Sequence, residues 1–272
     1  MEDLNAMQDR YSFAQDLARE AGRLAYDYYS RRAELAIESK GLQDVVSIAD
    51  KKVEELIRAR IGATFPDDAF LGEETGFSGE IAAGQAIWVV DPIDGTACFL
   101  NGMPTWCVSI ALVLDGETEI GVIYDPNVDE LYAARRGGGT YLNGQRQPVP
   151  GAKSLQDGML GTGFSHRSPP REIVPFLDAL LNDGGMFLRN GSGALMLGYV
   201  AIGRLIGYFE PHINSWDCLA GLLLVREAGG WTCDFLANDG LHRGNLCAAA
   251  APALAPKLQE MIAGTVPDPS RP

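Results

Sequence analysis

Two aspartates lie three residues apart at the end of an apolar run, in the stretch WVVDPIDGT at residues 88–96. Asp91 and Asp94 are separated by a proline and an isoleucine and are followed by Gly95 and Thr96. A solvated turn would explain this composition, because Asp, Pro and Gly all favour turns. The alternative is a metal site, in which the rigid proline aims two carboxylates at bound cations. Acids elsewhere in the chain decide between the two interpretations.

Further acids stand where they could join this pair. Glu73 and Glu74 follow an apolar residue and a glycine, and Asp217 follows a tryptophan at the start of a predicted helix. Each has an ordinary explanation by itself, a loop acid for the first two and a favourable helix-terminus charge for Asp217. If Glu73 and Asp217 converged with the aspartate pair, repulsion would raise their pKa values, and divalent cations would remove it. An all-oxygen ligand set favours Mg²⁺, Mn²⁺ or Ca²⁺ over Zn²⁺.

The residues beside the aspartates indicate what such cations would do. Gly95 allows backbone N–H groups to approach an anion closely, and Thr96 adds a hydroxyl beside that anion. Hydrolysis of a phosphate monoester requires metals that neutralise the phosphoryl oxygens, an activated water and a stabilised leaving oxygen. The pattern therefore predicts a metal-dependent phosphatase.

Composition excludes several other classes of function. The formal net charge of −14 argues against nucleic acid or an anionic membrane as the main partner. The five cysteines are odd in number and form no C-x-x-C pair, so we expect free thiols in a reducing cytoplasm. We find no signal-peptide pattern and no apolar run of the roughly 18 residues that a membrane helix needs. The three histidines, His166, His212 and His242, lack ligand spacing and are expected on the surface or in loops.

The elements that must position these residues change along the chain. Apolar residues at helical spacing predict a helix over 3–30, and the capping-box pattern S-I-A-D at 47–50 opens a second helix that ends near Gly62. Short strands follow, with D-G at 115–116 and N-G at 143–144 as hairpin turns. The predicted strands are 86–90, 107–114, 120–124, 131–134 and 140–142.

Beyond residue 150 the pattern alternates between strand and helix. We therefore predict two subdomains with layered sheets. Residues 1–150 would form an α+β subdomain with most of the metal ligands, and residues 151–272 an α/β subdomain with Asp217 and the substrate contacts. The predicted strands are 159–163, 186–189, 205–209, 231–234 and 246–249, and the predicted helices are 170–181, 194–202, 216–227 and 252–263.

Two long motifs resemble signatures of the inositol monophosphatase-like family of Mg²⁺-dependent, lithium-sensitive phosphatases. WVVDPIDGTACF fits W-x-x-D-P-[IL]-D-G-T-x-N-F except at Cys98, and SWDCLAGLLLVREAGG fits W-D-x-x-A-G followed by E-A-G-G. Shorter motifs fall in the family's order, and the match spans roughly residues 10 to 250. The shorter motifs are DVVSIAD at 44–50, GEE at 72–74, RNGSGA at 189–194 and YFE at 208–210.

The resemblance implies a role for each matching acid. One metal would be held by Glu73, Asp91 and the carbonyl of Ile93, and a second by Asp91, Asp94 and Asp217. A third, weaker Mg²⁺ would depend on Glu73 and waters. The catalytic residues would be Thr96, Asp50 and Glu73, with Thr96 paired to Asp50 to orient the attacking water.

The resemblance also implies the substrate contacts. The N–H groups of Gly95 and Thr96 would hold phosphate, while Gly191, Ser192 and Glu210 would contact the alcohol part of the substrate, beside Asp94 and Asp217. By themselves, Asp50 is a helix first-turn acid and Glu210 a strand-end acid that could face solvent. Cys98 replaces the signature Asn, and Asn214 stands where several inositol-phosphate-hydrolysing members carry His. The second change bears on inositol specificity and not on hydrolysis.

The fold implied by the resemblance is a layered αβαβα sandwich of the sugar-phosphatase type, usually dimeric. The implied reaction is hydrolysis of a small phosphorylated alcohol or polyol, inositol 1-phosphate first, by metal-activated water. Two to three Mg²⁺ ions per site would serve it, with Mn²⁺ as a substitute and Ca²⁺ as an inhibitor. Histidinol phosphate or another sugar or nucleotide phosphate is the alternative substrate. A regulatory or RNA-processing-associated partner protein that retains the fold is the alternative from another class.

Overall fold

A computed structural model describes residues 2–32, 37–41, 44–77, 82, 84–166 and 168–265 of the chain. Helices and sheets alternate in five layers, because each sheet buries apolar side chains on both of its faces. This αβαβα order is the predicted fold class. None of the described helices is both long and apolar enough to cross a membrane.

Two helices form the first layer. Helix α1 (Glu2–Ser30) packs against α2 (Ile48–Thr64), and both cover one face of the first sheet. Small side chains such as Ala14, Ala18 and Ala21 are fully buried along α1 and allow the close approach. The capping box predicted at residues 47–50 is present at the start of α2. Both predicted helices are confirmed, although α2 continues to Thr64.

The first sheet has eight described strands and is antiparallel except for one parallel pair. Its D-G and N-G turns have positive φ at all four positions, as two-residue hairpin turns require. The strands are β3 (Ala69–Gly72), β4 (Gly76–Phe77), β5 (Ile87–Asp94), β6 (Cys107–Leu114), β7 (Glu117–Asp125), β8 (Glu130–Arg135), β9 (Gly139–Leu142) and β10 (Gln145–Arg146). Their spatial order is β10-β9-β8-β7-β6-β5-β3-β4, with β3 parallel to β5. A separate hairpin joins β1 (Ile37–Gly41) to β2 (Asp44–Ser47), and a short helix, α3 (Thr96–Leu100), follows β5.

The middle layer is a pair of helices buried between the two sheets. Helices α5 (Gly193–Ala201) and α6 (Ser215–Glu227) contact each other and both sheets. Most of their residues are buried, as expected for helices that are apolar on every side. They carry Ser192, as the N-cap of α5, and Asp217 into the space beside β5.

The second sheet and two outer helices complete the sandwich. Its strands are β11 (Met159–Thr162), β12 (Met186–Leu188), β13 (Gly207–Ile213), β14 (Trp231–Thr232) and β15 (Asn245–Ala250), in the order β12-β11-β13-β15-β14. Helices α4 (Val174–Asn182) and α8 (Ala255–Thr265) cover its outer face, and α7 (Gly240–Arg243) lies before β15. One apolar cluster includes residues of both sheets, so the division near residue 150 stays a prediction.

Several predicted bounds were wrong for identifiable reasons. Strand β5 does not end at residue 90 but continues to Asp94, and β13 covers 207–213 and not 205–209. The predicted helix 170–181 is a 3₁₀ turn followed by α4, because Pro175 fits only the first turn of a helix. The short strand β3 was missed, since four residues ending in a glycine give little periodicity.

Candidate active site

An irregularity in β5 brings the aspartate pair to one side of the strand. Asp91 pairs with Ser109 of β6, and Asp94 pairs with Cys107, so three steps along β5 match two along β6. In a regular strand, residues three apart point to opposite faces. The extra residue of this bulge turns both carboxylates toward the same cavity. Pro92 suits the bulge because it has no N–H to donate to the sheet.

Asp217 completes a cluster of three carboxylates. One oxygen from each of Asp91, Asp94 and Asp217 lies within 4.8 Å of the other two. Asp91 and Asp94 are only 1% and 6% exposed. Asp217 also forms a reciprocal capping box with Asn214, whose N–H donates to Asp217 Oδ2 at 3.2 Å. Its helix-terminus role and its place in the cluster are therefore compatible.

The cluster is electrostatically unfavourable without cations. Burial raises the pKa of Asp91 well above its ordinary value, and the charges of Glu73, Asp94 and Asp217 raise it further. Burial, followed by the charge of Asp217, raises the pKa of Asp94 to about 7. Three carboxylates this close, two of them buried, fit a divalent cation, and an all-oxygen donor set suits Mg²⁺ better than a thiophilic metal.

Glu73 lies in the turn between β3 and β4 and lines the same cavity. It is outside the group of three carboxylates within 4.8 Å. Its charge reaches Asp91, whose pKa it raises. Ile93 donates its N–H to Asp91 Oδ1 at 2.9 Å, and its carbonyl accepts from Thr96 Oγ1 at 3.1 Å.

Thr96 and Asp50 meet although 46 residues separate them. Thr96 Oγ1 donates to Asp50 Oδ1 at 3.1 Å. Asp50 is fully buried on α2, and its other oxygen accepts from Ser47 N at 2.8 Å and Ser47 Oγ at 2.7 Å. Burial raises the pKa of Asp50, and these hydrogen bonds oppose the rise. Since the Thr96 hydroxyl has one proton to donate, its lone pairs remain free to accept a proton from the cavity side.

Gly95 opens α3 with a left-handed backbone, at φ 99°. A Cβ there would lie 2.8 Å from the carbonyl oxygen of Thr105, so no side chain fits. The N–H groups at a helix N-terminus have no partner within the helix. Gly95 and Thr96, at this N-terminus, both line the cavity.

The N-terminus of α5 holds Asp94 from behind. Ser192 Oγ donates to Asp94 Oδ2 at 2.5 Å, and Ala194 N donates to the same oxygen at 2.7 Å. Ser192 Oγ also accepts from Leu195 N at 3.2 Å as the helix N-cap. Ser192 is fully buried and is not part of the cavity wall, to which Gly191 contributes.

Cys98 supports the loop that leads into α5. Its thiol donates to the carbonyl oxygen of Asn190 at 3.2 Å, and Thr105 Oγ1 donates to the same oxygen at 2.9 Å. A Cβ at residue 191 would collide with the Cys98 sulfur. The thiol is free, as are those of all five cysteines, which was predicted.

Glu210 lies inside β13 and is only 7% exposed, so its interpretation as a solvent-facing acid was wrong. Burial raises its pKa to about 7, with smaller contributions from the charges of Asp217 and Asp94. Its carboxylate accepts from the hydroxyl of Tyr208 at 2.6 Å. A Cβ at Gly163 would collide with this carboxylate, which explains the glycine.

A cavity of about 690 Å³ joins these groups. Of the predicted site residues, only Asp50 and Ser192 lie behind its wall. Sequence reasoning missed several lining residues. Some of them, such as Arg189 and Tyr208, lie within quoted motifs, but nothing in the pattern assigns them a role. The predicted residues on the wall are Glu73, Asp91, Ile93, Asp94, Gly95, Thr96, Gly191, Glu210 and Asp217, and the missed ones include Phe164, Ser165, His166, Arg189, Met196 and Tyr208. His166 is exposed as predicted but borders the cavity, whereas His212 is partly buried in β13.

Known proteins share both the sequence and the fold. The sequence model of the inositol monophosphatase family matches residues 6–269. Nus factor SuhB of Haemophilus influenzae is 43% identical over 236 residues, which cover 85% of this chain and 88% of the relative. Inositol-1-monophosphatase of Rhizobium meliloti is 40% identical over 234 residues, 85% of each chain. Inositol monophosphatase from Anabaena has a solved structure with TM-score 0.81 and 30% identity, covering 97% of this chain and 99% of that one.

The fold and these matches define a sugar-phosphatase-type sandwich with a largely buried acidic cluster. The chain belongs to the inositol monophosphatase family. It is accordingly a phosphatase, of a family that is metal-dependent in general.

Proposed function

We propose that the protein hydrolyses a small phosphate monoester of the inositol 1-phosphate type with the help of Mg²⁺. The observation that carries this proposal is that the Asp91, Asp94 and Asp217 carboxylates share one cavity with Thr96, whose hydroxyl is hydrogen-bonded to the buried Asp50. Clustered carboxylates need cations, and the hydroxyl beside them can orient a water molecule. Hydrolysis of a phosphate monoester uses both.

Two to three Mg²⁺ ions would occupy the acidic end of the cavity. Glu73, Asp91 and the carbonyl of Ile93 would hold one, and Asp94 and Asp217 would share another with Asp91. When bound, such ions neutralise phosphoryl oxygens, lower the pKa of water and stabilise the leaving oxygen. Mn²⁺ suits the same oxygen ligands. Ca²⁺ prefers longer bonds and more ligands, so we expect it to bind and inhibit.

The chain's own groups would orient the reactants. Thr96, whose proton is donated to Asp50 or to the Ile93 carbonyl, would accept a hydrogen bond from the attacking water. Glu73, which lines the same cavity, would direct the same water. The N–H groups of Gly95 and Thr96 suit the phosphate.

The alcohol part of the substrate would lie further along the cavity. Gly191 and Glu210 line the cavity together with Asp94 and Asp217 and would contact this part. Glu210 accepts hydrogen bonds from alcohol groups when ionised and donates one when protonated. Ser192, buried behind Asp94, would act by orienting that carboxylate.

The identity of the alcohol is the finer part of the proposal. The solved Staphylococcus aureus inositol monophosphatase II has a form bound to inositol monophosphate and a form bound to 2′-AMP. We expect release of phosphate from inositol 1-phosphate with Mg²⁺, and inhibition by Li⁺. The same phosphate-release assay should be run with histidinol phosphate, 2′-AMP and fructose 1,6-bisphosphate as competing candidate substrates. A tenfold preference for one of these would reassign the substrate.

Asp94→Asn tests the metal assignment directly. The amide keeps an oxygen for the Ser192 and Ala194 donors but loses the charge, so the fold should persist. We expect turnover to fall by at least ~100-fold, the scale on which loss of one charge-stabilising group acts. Asp9→Asn, on the exposed surface of α1, is the matched control. Normal turnover of a folded Asp94→Asn variant would contradict the assignment.

Relatives named Nus factor SuhB support a second candidate, a regulatory or RNA-processing-associated role beside catalysis. The complete set of acids favours the enzyme as the main function, and the net charge of −14 argues against direct binding of nucleic acid. Pull-down of protein partners with the wild type and the Asp94→Asn variant would separate the two roles. Partner binding that survives the loss of turnover would support the regulatory role.

Three broader expectations are also proposals. The chain would form a homodimer, would act in the cytoplasm, and would divide near residue 150 into two subdomains. Five free cysteines are typical of a reducing compartment. The exposed apolar edge at β12 supports the dimer, since Met186 is 61% exposed and Phe187 40%.

A further inference from the structure

Glu54 is a buried acid to which the proposed reaction assigns no role. It lies on α2 and is only 1% exposed. None of the ion pairs between described residues involves it. Its two oxygens instead accept backbone N–H groups, from Glu74 to Oε2 and from Thr75 to Oε1, each at 2.9 Å. A buried carboxylate is tolerated when such hydrogen bonds replace its hydration.

Those two N–H groups belong to the turn that begins with Glu73. Strand pairing fixes the base of the turn, because Gly72 pairs with both Gly76 and Val90. Glu73 N donates to Val90 O at 3.2 Å. Glu54 holds the remaining part of the turn from the side of α2. The orientation of the turn sets the direction in which the Glu73 carboxylate enters the cavity.

Gly72 shows how closely α2 and β3 must approach. A Cβ at this position would collide with the Glu54 carboxylate and would lie 2.7 Å from the ring of Phe70. Its backbone is not left-handed, so glycine is required here for space and not for conformation. The missing side chain is what lets Glu54 reach the turn.

The same face of α2 serves the other half of the site. Asp50 precedes Glu54 by four residues, one helical turn, and accepts a hydrogen bond from Thr96. One helix thus offers a carboxylate to the turn with Glu73 and another to the hydroxyl that faces the water. We propose that Glu54 is a positioning residue, which holds Glu73 in place for the first Mg²⁺ through the N–H groups of Glu74 and Thr75. The inference rests on the proposed function.

Replacement of Glu54 by Gln separates positioning from simple stability. Gln keeps one oxygen acceptor but turns an NH₂ donor toward the second backbone N–H. Loss of a group that orients a metal ligand weakens metal affinity by about 10- to 100-fold. A purely structural Glu54 would instead lower the stability and leave the Mg²⁺ affinity of the folded protein unchanged.

Calorimetric titration with Mg²⁺, without substrate, measures that affinity. We expect Glu54→Gln to bind Mg²⁺ about tenfold more weakly or worse, and the Mg²⁺ concentration for half-maximal activity to rise by a similar factor. Any fall in kcat at saturating Mg²⁺ should be smaller than the loss of Mg²⁺ affinity, because the ligands themselves remain. Glu55→Gln is the matched control, since Glu55 is the next residue but is exposed and paired with Lys52. Glu55→Gln should change neither the Mg²⁺ affinity nor the Mg²⁺ concentration for half-maximal activity.

A folded Glu54→Gln variant with wild-type Mg²⁺ affinity would overturn the proposal, as would a wild-type protein that binds no Mg²⁺. If Glu54→Gln does not fold, Gly72→Ala takes its place, because its methyl group displaces the turn while every carboxylate is kept. Wild-type affinity of that variant would likewise overturn the proposal. A wild type that binds Mg²⁺ but hydrolyses no phosphate ester would overturn only the proposed function.

Discussion

Glu210 is a buried acid whose effect on the fold depends on pH. Its folded pKa of about 7 lies above the ordinary 4.5, so folding favours its protonated form. The stability that this proton contributes is complete below about pH 4.5 and is lost as the pH rises through 7. Gln at this position stays neutral at every pH and can still accept from the Tyr208 hydroxyl.

We therefore expect Glu210→Gln to gain stability over the wild type as the pH rises. From pH 5.5 to pH 8 the difference in unfolding free energy should grow by roughly 2 kcal/mol in favour of the variant. Urea unfolding with a chelator present measures it. Glu260→Gln, on the exposed surface of α8, should show no such growth. A constant difference would mean that Glu210 is ionised in the folded protein with an ordinary pKa.

The types of the site residues were predictable from the sequence, but how deeply each side chain is buried was not. Asp91, Asp94 and Asp217 could be expected to converge because the family's motifs contain all three. Nothing in Y-F-E indicates that Glu210 is buried, since a second sheet and Gly163 create its environment. Ser192 could likewise be taken for a substrate contact, and its position behind Asp94 required the three-dimensional packing.

Strand β5 illustrates what a local sequence pattern cannot predict. The proline after Asp91 indicated the end of a strand, because proline donates no hydrogen bond to a sheet. The strand in fact resumes after a bulge, since Asp94 pairs again with Cys107. Partner strands supply that pairing, and they are distant in sequence. The capping box at the start of α2, which depends on residues only three apart, was predicted and is present.

Helix α5 should matter to activity through its first residues. Ser192→Ala removes both the N-cap and the 2.5 Å hydrogen bond to Asp94. We expect a loss of about 1–2 kcal/mol in unfolding free energy and a fall in kcat, because Asp94 loses one of its donors. Ser154→Ala, at the N-cap of the 3₁₀ helix Leu155–Asp157, is the control and should keep full activity. Unchanged turnover in Ser192→Ala would show that Ala194 N alone suffices to orient Asp94.

The five layers of the fold were foreseeable from the order of the elements and from the family resemblance. Two helices before a run of strands, and alternation afterwards, predicted layered sheets. Whether the halves are separate subdomains was not foreseeable, because α5 and α6 share one apolar cluster with both sheets. That cluster places the acids of two halves on one cavity.

Mg²⁺ should stabilise the whole molecule, and more so at high pH. Burial and mutual repulsion raise the pKa values of Asp91 and Asp94. Without metal, the unfolding free energy of the protein therefore falls as the pH rises toward and through 7, because both groups lose the proton that the folded state favours. We expect the thermal midpoint in a chelator to be lower at pH 8 than at pH 6, and the increase caused by Mg²⁺ to be larger at pH 8. Thermal scans at both pH values measure this. An equal increase at both would argue against the carboxylate cluster as the binding site.

The charge and the exposed apolar residues of the surface predict self-association through strand β12. With a net charge of −14, two copies repel over most of their surfaces, and an uncharged apolar patch is where they can approach. Strand β12 offers such a patch at the edge of the second sheet. We expect sedimentation to give twice the mass of one chain, and Met186→Asp to shift the protein toward the monomer. Val128→Asp is the matched control, because Val128 is equally exposed, at 61%, in the turn between β7 and β8. A Met186→Asp variant that remains dimeric would move the interface away from β12.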